Sequence, residues 1–160
     1  MSRRPTRLPP LLAEFDDDER EAVLSANRAF YRAFNERDID AMELLWAPSG
    51  AMVCLHPGQA PLHERAHIMA SWRGILKHPE APRVRCVDEW VVGRSGLAIV
   101  VCREVLADVQ LMATNSFVRL GDRWHMVGHH AGPVPSIERA RPPAPAAPAP
   151  PAPRDRRKLH

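Results

Sequence analysis

The stretch that decides the fold is Leu111-Met-Ala-Thr-Asn-Ser-Phe-Val-Arg-Leu-Gly-Asp-Arg-Trp-His-Met-Val-Gly-His-His-Ala131. Two apolar-rich runs flank Gly121-Asp122, the pattern of a β-hairpin closed by a tight turn. A two-residue turn pairs Arg119 with Trp124, Phe117 with Met126, Asn115 with Gly128 and Ala113 with His130. Side chains alternate along a strand, so these share one face. That face carries large apolar groups plus Asn115 and His130, which is how a pocket wall with a few polar fixtures reads. Thr114, Ser116, Val118, His125, Val127 and His129 fall on the other face, and a one-residue slip would exchange the two.

Working backwards, Leu97 to Leu106 and Val84 to Val92 read as two more strands, joined through the Gly93-Arg-Ser-Gly96 turn. Upstream the period changes from two to 3.6. Asp16, Asp17, Asp18 and Glu19 cap a helix over residues 16–37, with Val23, Asn27, Phe30 and Phe34 on one stripe and Leu24 and Tyr31 beside it. Asp38 caps a shorter helix from Ile39 to Trp46, which Pro48 and Gly50 end. Ala51 to His56 reads as a strand broken by Pro57-Gly58, and Glu64 to Leu76 as a third helix carrying Ile68, Met69, Trp72, Ile75 and Leu76. Helices early and a run of strands late predict α+β. No glycine-rich phosphate loop is present, which argues against a nucleotide-binding α/β fold.

The chain has 160 residues and a formal charge of +3, but the charge is unevenly spread. Residues 11–137 hold 13 basic and 17 acidic groups, so the excess of positive charge belongs to the ends. The expected organisation is a disordered basic N-terminus over 1–13, a domain over 14–137, and a disordered Pro/Ala-rich tail with a basic tip over 138–160. An acidic body predicts no nucleic-acid binding by the folded domain, while the tail could hold an anionic partner weakly. Removing the tail is expected to leave the fold intact. No apolar run reaches the roughly 20 residues of a membrane span, and Asp16-Asp17-Asp18 follows too soon for a secretory signal. Cys54, Cys86 and Cys102 are too few, and odd in number, for a disulfide framework; they predict a reducing, cytoplasmic setting and small buried hydrophobes.

Several phrases resemble the nuclear transport factor 2-like superfamily and its SnoaL-like branch. Phe30-Tyr-Arg-Ala-Phe-Asn-Glu-Arg-Asp-Ile-Asp-Ala-Met42 resembles the superfamily's helix junction. Leu45-Trp46, Met52-Val-Cys-Leu-His-Pro-Gly58, Ile68-Met-Ala-Ser-Trp72 and the closing hairpin are similar to the branch. The resemblance spans about residues 19–133. It implies a cone: a curved antiparallel sheet packed on three helices, with an apolar pocket at one end and a homodimer through the sheet's outer surface. The superfamily includes isomerases, dehydratases, cyclases, epoxide hydrolases and non-catalytic binding or assembly domains, and fold does not choose among them.

His56 ends the first strand where the steroid-isomerase relatives carry an Asp-Pro pair whose Asp is the general base, so the resemblance implies a base at His56. Their helix-1 tyrosine falls on Phe30, with Tyr31 one position off and about 100° round the helix. Their protonated acid falls near Thr114 to Ser116, where no acid stands, so that mechanism is not carried over whole. The candidate catalytic set is His56, His130 and Asn115; the expected pocket wall is Phe30, Trp46, Cys54, Trp72, Trp90, Phe117 and Met126. His63-Glu64-Arg65-Ala66-His67 matches the H-E-x-x-H zinc-peptidase pattern. It begins a helix after Pro61, and Arg65 takes a position those enzymes keep apolar, so no metal or cofactor is assigned. The functional expectation is a small-molecule-binding domain, as an acid/base enzyme of isomerase, dehydratase or hydrolase type, or as a non-catalytic dimerisation or ligand-binding module. Zinc hydrolysis is the remote third reading.

Overall fold

The computed structural model describes residues 15–134. The first helix, α1, runs Asp17–Glu36, capped by the Asp16 carboxylate, which accepts from Glu19 N at 2.8 Å. It stops at Arg37, which takes the left-handed conformation (φ 58°), while the Asp38 N–H reaches back to Ala33 O at 2.9 Å. Asp38 then accepts from Ala41 N at 2.9 Å and starts α2, Ile39–Leu45. One residue thus closes one helix and opens the next, which sets the sharp corner between them. The strand β1, Val53–Leu55, is followed by α3, Arg65–Lys77. Arg65 donates to the carbonyls of Ala47 at 3.0 Å and Glu43 at 2.8 Å, tying the start of α3 to the end of α2.

The remaining strands are β2 Arg85–Arg94, β3 Leu97–Val105, β4 Gln110–Leu120 and β5 Arg123–Pro133. The sheet order is β1-β5-β4-β3-β2. The expected α+β cone is what the structure shows, with α1 lying against β2, β3 and β5. One edge departs from the antiparallel expectation: β1 pairs with β5 in parallel, Cys54 opposite His129. The long path through α3 and the rest of the sheet makes parallel pairing feasible here, which a hairpin could not do. The core is built from Trp46, Trp72, Phe30, Phe117, Met42 and Met126, all fully buried or nearly so.

Two β-bulges decide which side chains face inwards. In β2 the register shifts between Val87 and Trp90, around Asp88 with φ 55°. Arg103 Nε holds the Asp88 carboxylate across the strand at 3.0 Å. In β5 the register runs Phe117 opposite Met126, then Ser116 opposite Gly128, so Val127 is extra. Each bulge reverses the alternation beyond it. The expected pairing of Asn115 with Gly128 is therefore corrected: Asn115 stands opposite His129, and Thr114 opposite His130.

The expected disorder of residues 1–13 and 138–160, and the tail's expected anionic partner, lie outside the described residues. No helix is long and apolar enough to cross a membrane among the described residues.

Candidate functional site

Between α1, α3 and the inner face of the sheet lies a cavity of about 230 Å³ with a largely apolar lining. His56 enters it from the end of β1. The turn that follows puts Pro57 second and Gly58 third, with Gly58 at φ 72° and Gln59 N bonding back to His56 O at 3.1 Å. Glycine is required at that left-handed third position. His56 is 5% exposed; its Nε2 lies 2.8 Å from Ser71 Oγ and 3.6 Å from Cys54 Sγ, and its ring meets Trp72 edge-on at 4.7 Å. Burial lowers its pKa, which keeps it neutral.

The second histidine of the cavity is His129, and here the sequence reading is corrected. His130 was expected on the inner face; the Val127 bulge turns it outwards to solvent and puts His129 in its place. The His129 ring packs at 5.1 Å from Phe30, 5.5 Å from Trp72 and 6.3 Å from His56. Its pKa is pushed down to about 3, chiefly by burial and then by repulsion from His56 and His130.

A chain of amides fixes its tautomer. The Glu89 carboxylate, ion-paired with Arg28 at 3.1 Å, accepts from Asn27 Nδ2 at 2.9 Å. Asn27 Oδ1 then accepts from Asn115 Nδ2 at 2.7 Å, which turns Asn115 Oδ1 towards His129 Nδ1, also at 2.7 Å. A carbonyl oxygen only accepts, so Nδ1 carries the proton and donates. In the neutral ring Nε2 is left with its lone pair, since the ring's hydrogen bond to a described residue is made through Nδ1. The second Asn115 hydrogen goes to Tyr31 OH at 3.1 Å, and Tyr31 donates to Glu104 Oε1 at 2.8 Å. Glu104 is 5% exposed and lines the cavity; burial raises its pKa, with the Tyr31 bond opposing. Burial, then the charges of Glu104 and Cys102, likewise holds the Tyr31 hydroxyl protonated.

Of the expected wall, Phe30 and Trp72 line the cavity. Trp46, Cys54, Phe117 and Met126 are buried core residues that do not line it, Cys54 lying behind His56. Trp90 is on the opposite surface, 67% exposed, because the bulge at Asp88 reverses its side of β2. Tyr31 and Glu104 were not assigned roles from the sequence, yet strict alternation through Ala98, Val100 and Cys102 does put Glu104 inside. Asn27 also left a signal, as a polar residue on an apolar helical stripe. Glu89 left none, since only the bulge brings it inwards.

His63 and His67 are exposed, and His67 Nδ1 leans to its own helix-start Glu64 at 3.8 Å. No group of three His, Cys, Asp or Glu side chains is placed to hold a metal ion among the described residues. The H-E-x-x-H spacing is therefore a surface feature here.

The fold and this cavity, polar groups set in an apolar lining, define a cone-shaped domain of the nuclear transport factor 2-like class. The chain belongs to the SnoaL-like domain family, whose model matches residues 23–135. It is similar to a protein of Streptomyces avermitilis proposed to be a dehydratase of the NTF2-like family: 28% identity, TM-score 0.70, covering 76% of this chain and 100% of that one. It is also similar to a protein of Thiobacillus denitrificans proposed to be a calcium/calmodulin-dependent protein kinase type II association domain. There the identity is 34% and the TM-score 0.60, covering 69% of this chain and 94% of that one. A curated relative, the F-box protein SKIP8 of Arabidopsis thaliana, is 24% identical over 119 residues, 69% of this chain. The chain spans about half the length of that relative, 48%.

Proposed function

We propose that this domain binds a small, mostly apolar molecule in the cone and moves protons on it, as an enzyme of isomerase or dehydratase type. The observation that carries the reading is the Glu89–Asn27–Asn115–His129 chain, which leaves a neutral imidazole with a free Nε2 lone pair at a largely apolar cavity. That atom can take a proton from a substrate C–H or O–H. The imidazolium so formed is destabilised by burial, so it gives the proton back readily, to a neighbouring carbon or to a departing hydroxyl. Glu104, held by the Tyr31 hydroxyl, presents a carboxyl group on the sheet side of the same cavity, and His56, steadied by Ser71, a second neutral base. Trp72 Nε1–H is buried without a partner among the described residues, a donor that a substrate oxygen could satisfy. The likeness to the Streptomyces protein supports the dehydratase form.

The test is screening for ligands by thermal shift, followed by NMR of hits in D₂O. A bound carbonyl or β-hydroxy compound should exchange an α-proton or lose water. His129→Gln should slow this by about 100-fold or more while retaining binding. Ligands that bind but undergo no proton exchange would overturn the enzymatic reading.

A second reading, a dimerising module, is favoured by one observation. The outer face of the sheet exposes Trp90 at 67%, Leu97 at 50% and Val92 at 45%. A homodimer through this face would cover them, and light scattering on Trp90→Glu would show a dimer falling to a monomer. The three free cysteines support a reducing, cytoplasmic compartment.

A further inference from the structure

The Glu89 side of α1 carries a second feature that the cavity does not use. A groove of about 500 Å³ runs between α1 and the start of β2, and four arginines border it: Arg28, Arg32, Arg83 and Arg85. They come from two elements locked together at the base. Asn35 Nδ2 donates to Val84 O at 2.8 Å, and Val84 N donates to Asn35 Oδ1 at 2.9 Å. Val84 is buried by this clamp, and the arginines on either side of it are left exposed against α1, where Arg28 and Arg32 stand one turn apart.

Among the described residues, only Arg28 of the four is neutralised. Arg28 binds Glu89 at 3.1 Å and Glu21 at 3.0 Å, and Glu89, the one carboxylate lining the groove, is further committed to Asn27. Arg32, Arg83 and Arg85 form no ion pair or hydrogen bond with any described residue. Residues 11–137 carry more acidic than basic groups, 17 against 13, so three guanidiniums round one groove with no ion pair among the described residues run against the body's own balance. Arg32, Arg83 and Arg85 border the same groove, and like charges brought together repel. A bound polyanion relieves it.

We propose that this groove is a binding site for the phosphate or pyrophosphate group of a small molecule, held by Arg32, Arg83 and Arg85. Guanidinium presents paired N–H donors in a plane that matches phosphate oxygens, and three of them suit a ligand of more than one negative charge. The site stands apart from the histidine cavity, with Tyr31 and Val84 as the wall the two share. It does not depend on the cavity being catalytic.

The experiment is titration of the full-length chain with inorganic pyrophosphate by calorimetry, at fixed ionic strength, with thermal shift in parallel. Wild type should bind one equivalent and melt higher. Arg32→Gln, Arg83→Gln and Arg85→Gln combined should weaken binding about tenfold or more. The same variant without pyrophosphate should keep its circular dichroism and melt no lower, since exposed, mutually repelling groups have been removed. Each single substitution should give an intermediate loss. Arg123→Gln, an exposed arginine elsewhere, and combined Arg154→Gln, Arg156→Gln and Arg157→Gln in the tail should bind as wild type. No saturable binding by wild type, equal binding by the triple groove variant, or loss of binding on changing only the tail would each overturn the proposal.

Discussion

His129 Nδ1 donates to Asn115 Oδ1 at 2.7 Å, across two strands whose regular pairing would have kept them apart. Asn115 is at the centre of the buried polar chain, meeting His129, Asn27 and Tyr31 while it is itself fully buried. Such a network is stable only when each member is satisfied.

Asn115→Ala should therefore cost about 2–4 kcal/mol, because it leaves buried groups on three neighbours without partners. Urea unfolding measures this. Asn115→Leu, which fills the volume but satisfies nothing, should not restore the loss. A cost below about 0.5 kcal/mol for both would mean that water replaces the amide.

Neighbouring histidines should behave oppositely. His130 is exposed and has no described hydrogen bond, so His130→Ala should change stability by no more than about 0.5 kcal/mol and leave ligand binding alone. His129→Ala should destabilise by about 2 kcal/mol or more and weaken ligands of the cavity. Equal effects would contradict the bulged register.

Stability should depend on pH in a defined direction. Unfolded histidine titrates near about 6.5, whereas His129 in the fold titrates near about 3 and His56 is also lowered. Between those values the unfolded chain binds protons that the fold refuses, so stability is lost as pH falls from about 6.5, with a limiting slope of about 1.4 kcal/mol per pH unit for each group. Glu104 acts in reverse. Its raised pKa gives a contribution present at low pH and lost as pH rises through the folded value. Denaturant midpoints from pH 4 to pH 8 should rise more steeply in Glu104→Gln than in wild type over the window where Glu104 opposes the histidines.

Gly128 faces Ser116 across the β5 bulge. A Cβ at Gly128 would lie 3.1 Å from Ser116 Cβ and 3.2 Å from its Oγ. Gly128→Ala should cost about 1 kcal/mol by overpacking. Ser116→Gly in the same chain should recover part of it, as a double-mutant cycle would show.

Much of the architecture was legible in the sequence because it rests on local chemistry. Asp16 and Asp38 cap helices with their own side chains, and the glycine and proline turns fall where backbone geometry demands them. The spacing of Val23, Phe30, Ile68 and Trp72 gave the faces that pack. His56 could be placed at the end of its strand from Pro57-Gly58 alone. The site was only half legible. Phe30, Trp72, His56 and Asn115 could be read as inward-facing from period and position.

The remainder was decided in three dimensions. The sequence by itself determined which segments are helix and strand, since propensity, capping and alternation act over a few residues. Only the tertiary structure decided parity, because an extra residue in one strand is defined by what its partner strand does opposite it. Two such residues, near Asp88 and at Val127, turn Glu89 and His129 inwards and Trp90 and His130 outwards. The polar chain is anchored at both ends by side chains that straight alternation would place in solvent. Which histidine enters the cavity was settled by strand pairing and the burial of its neighbours, a cooperative property of the folded sheet that no window of sequence contains.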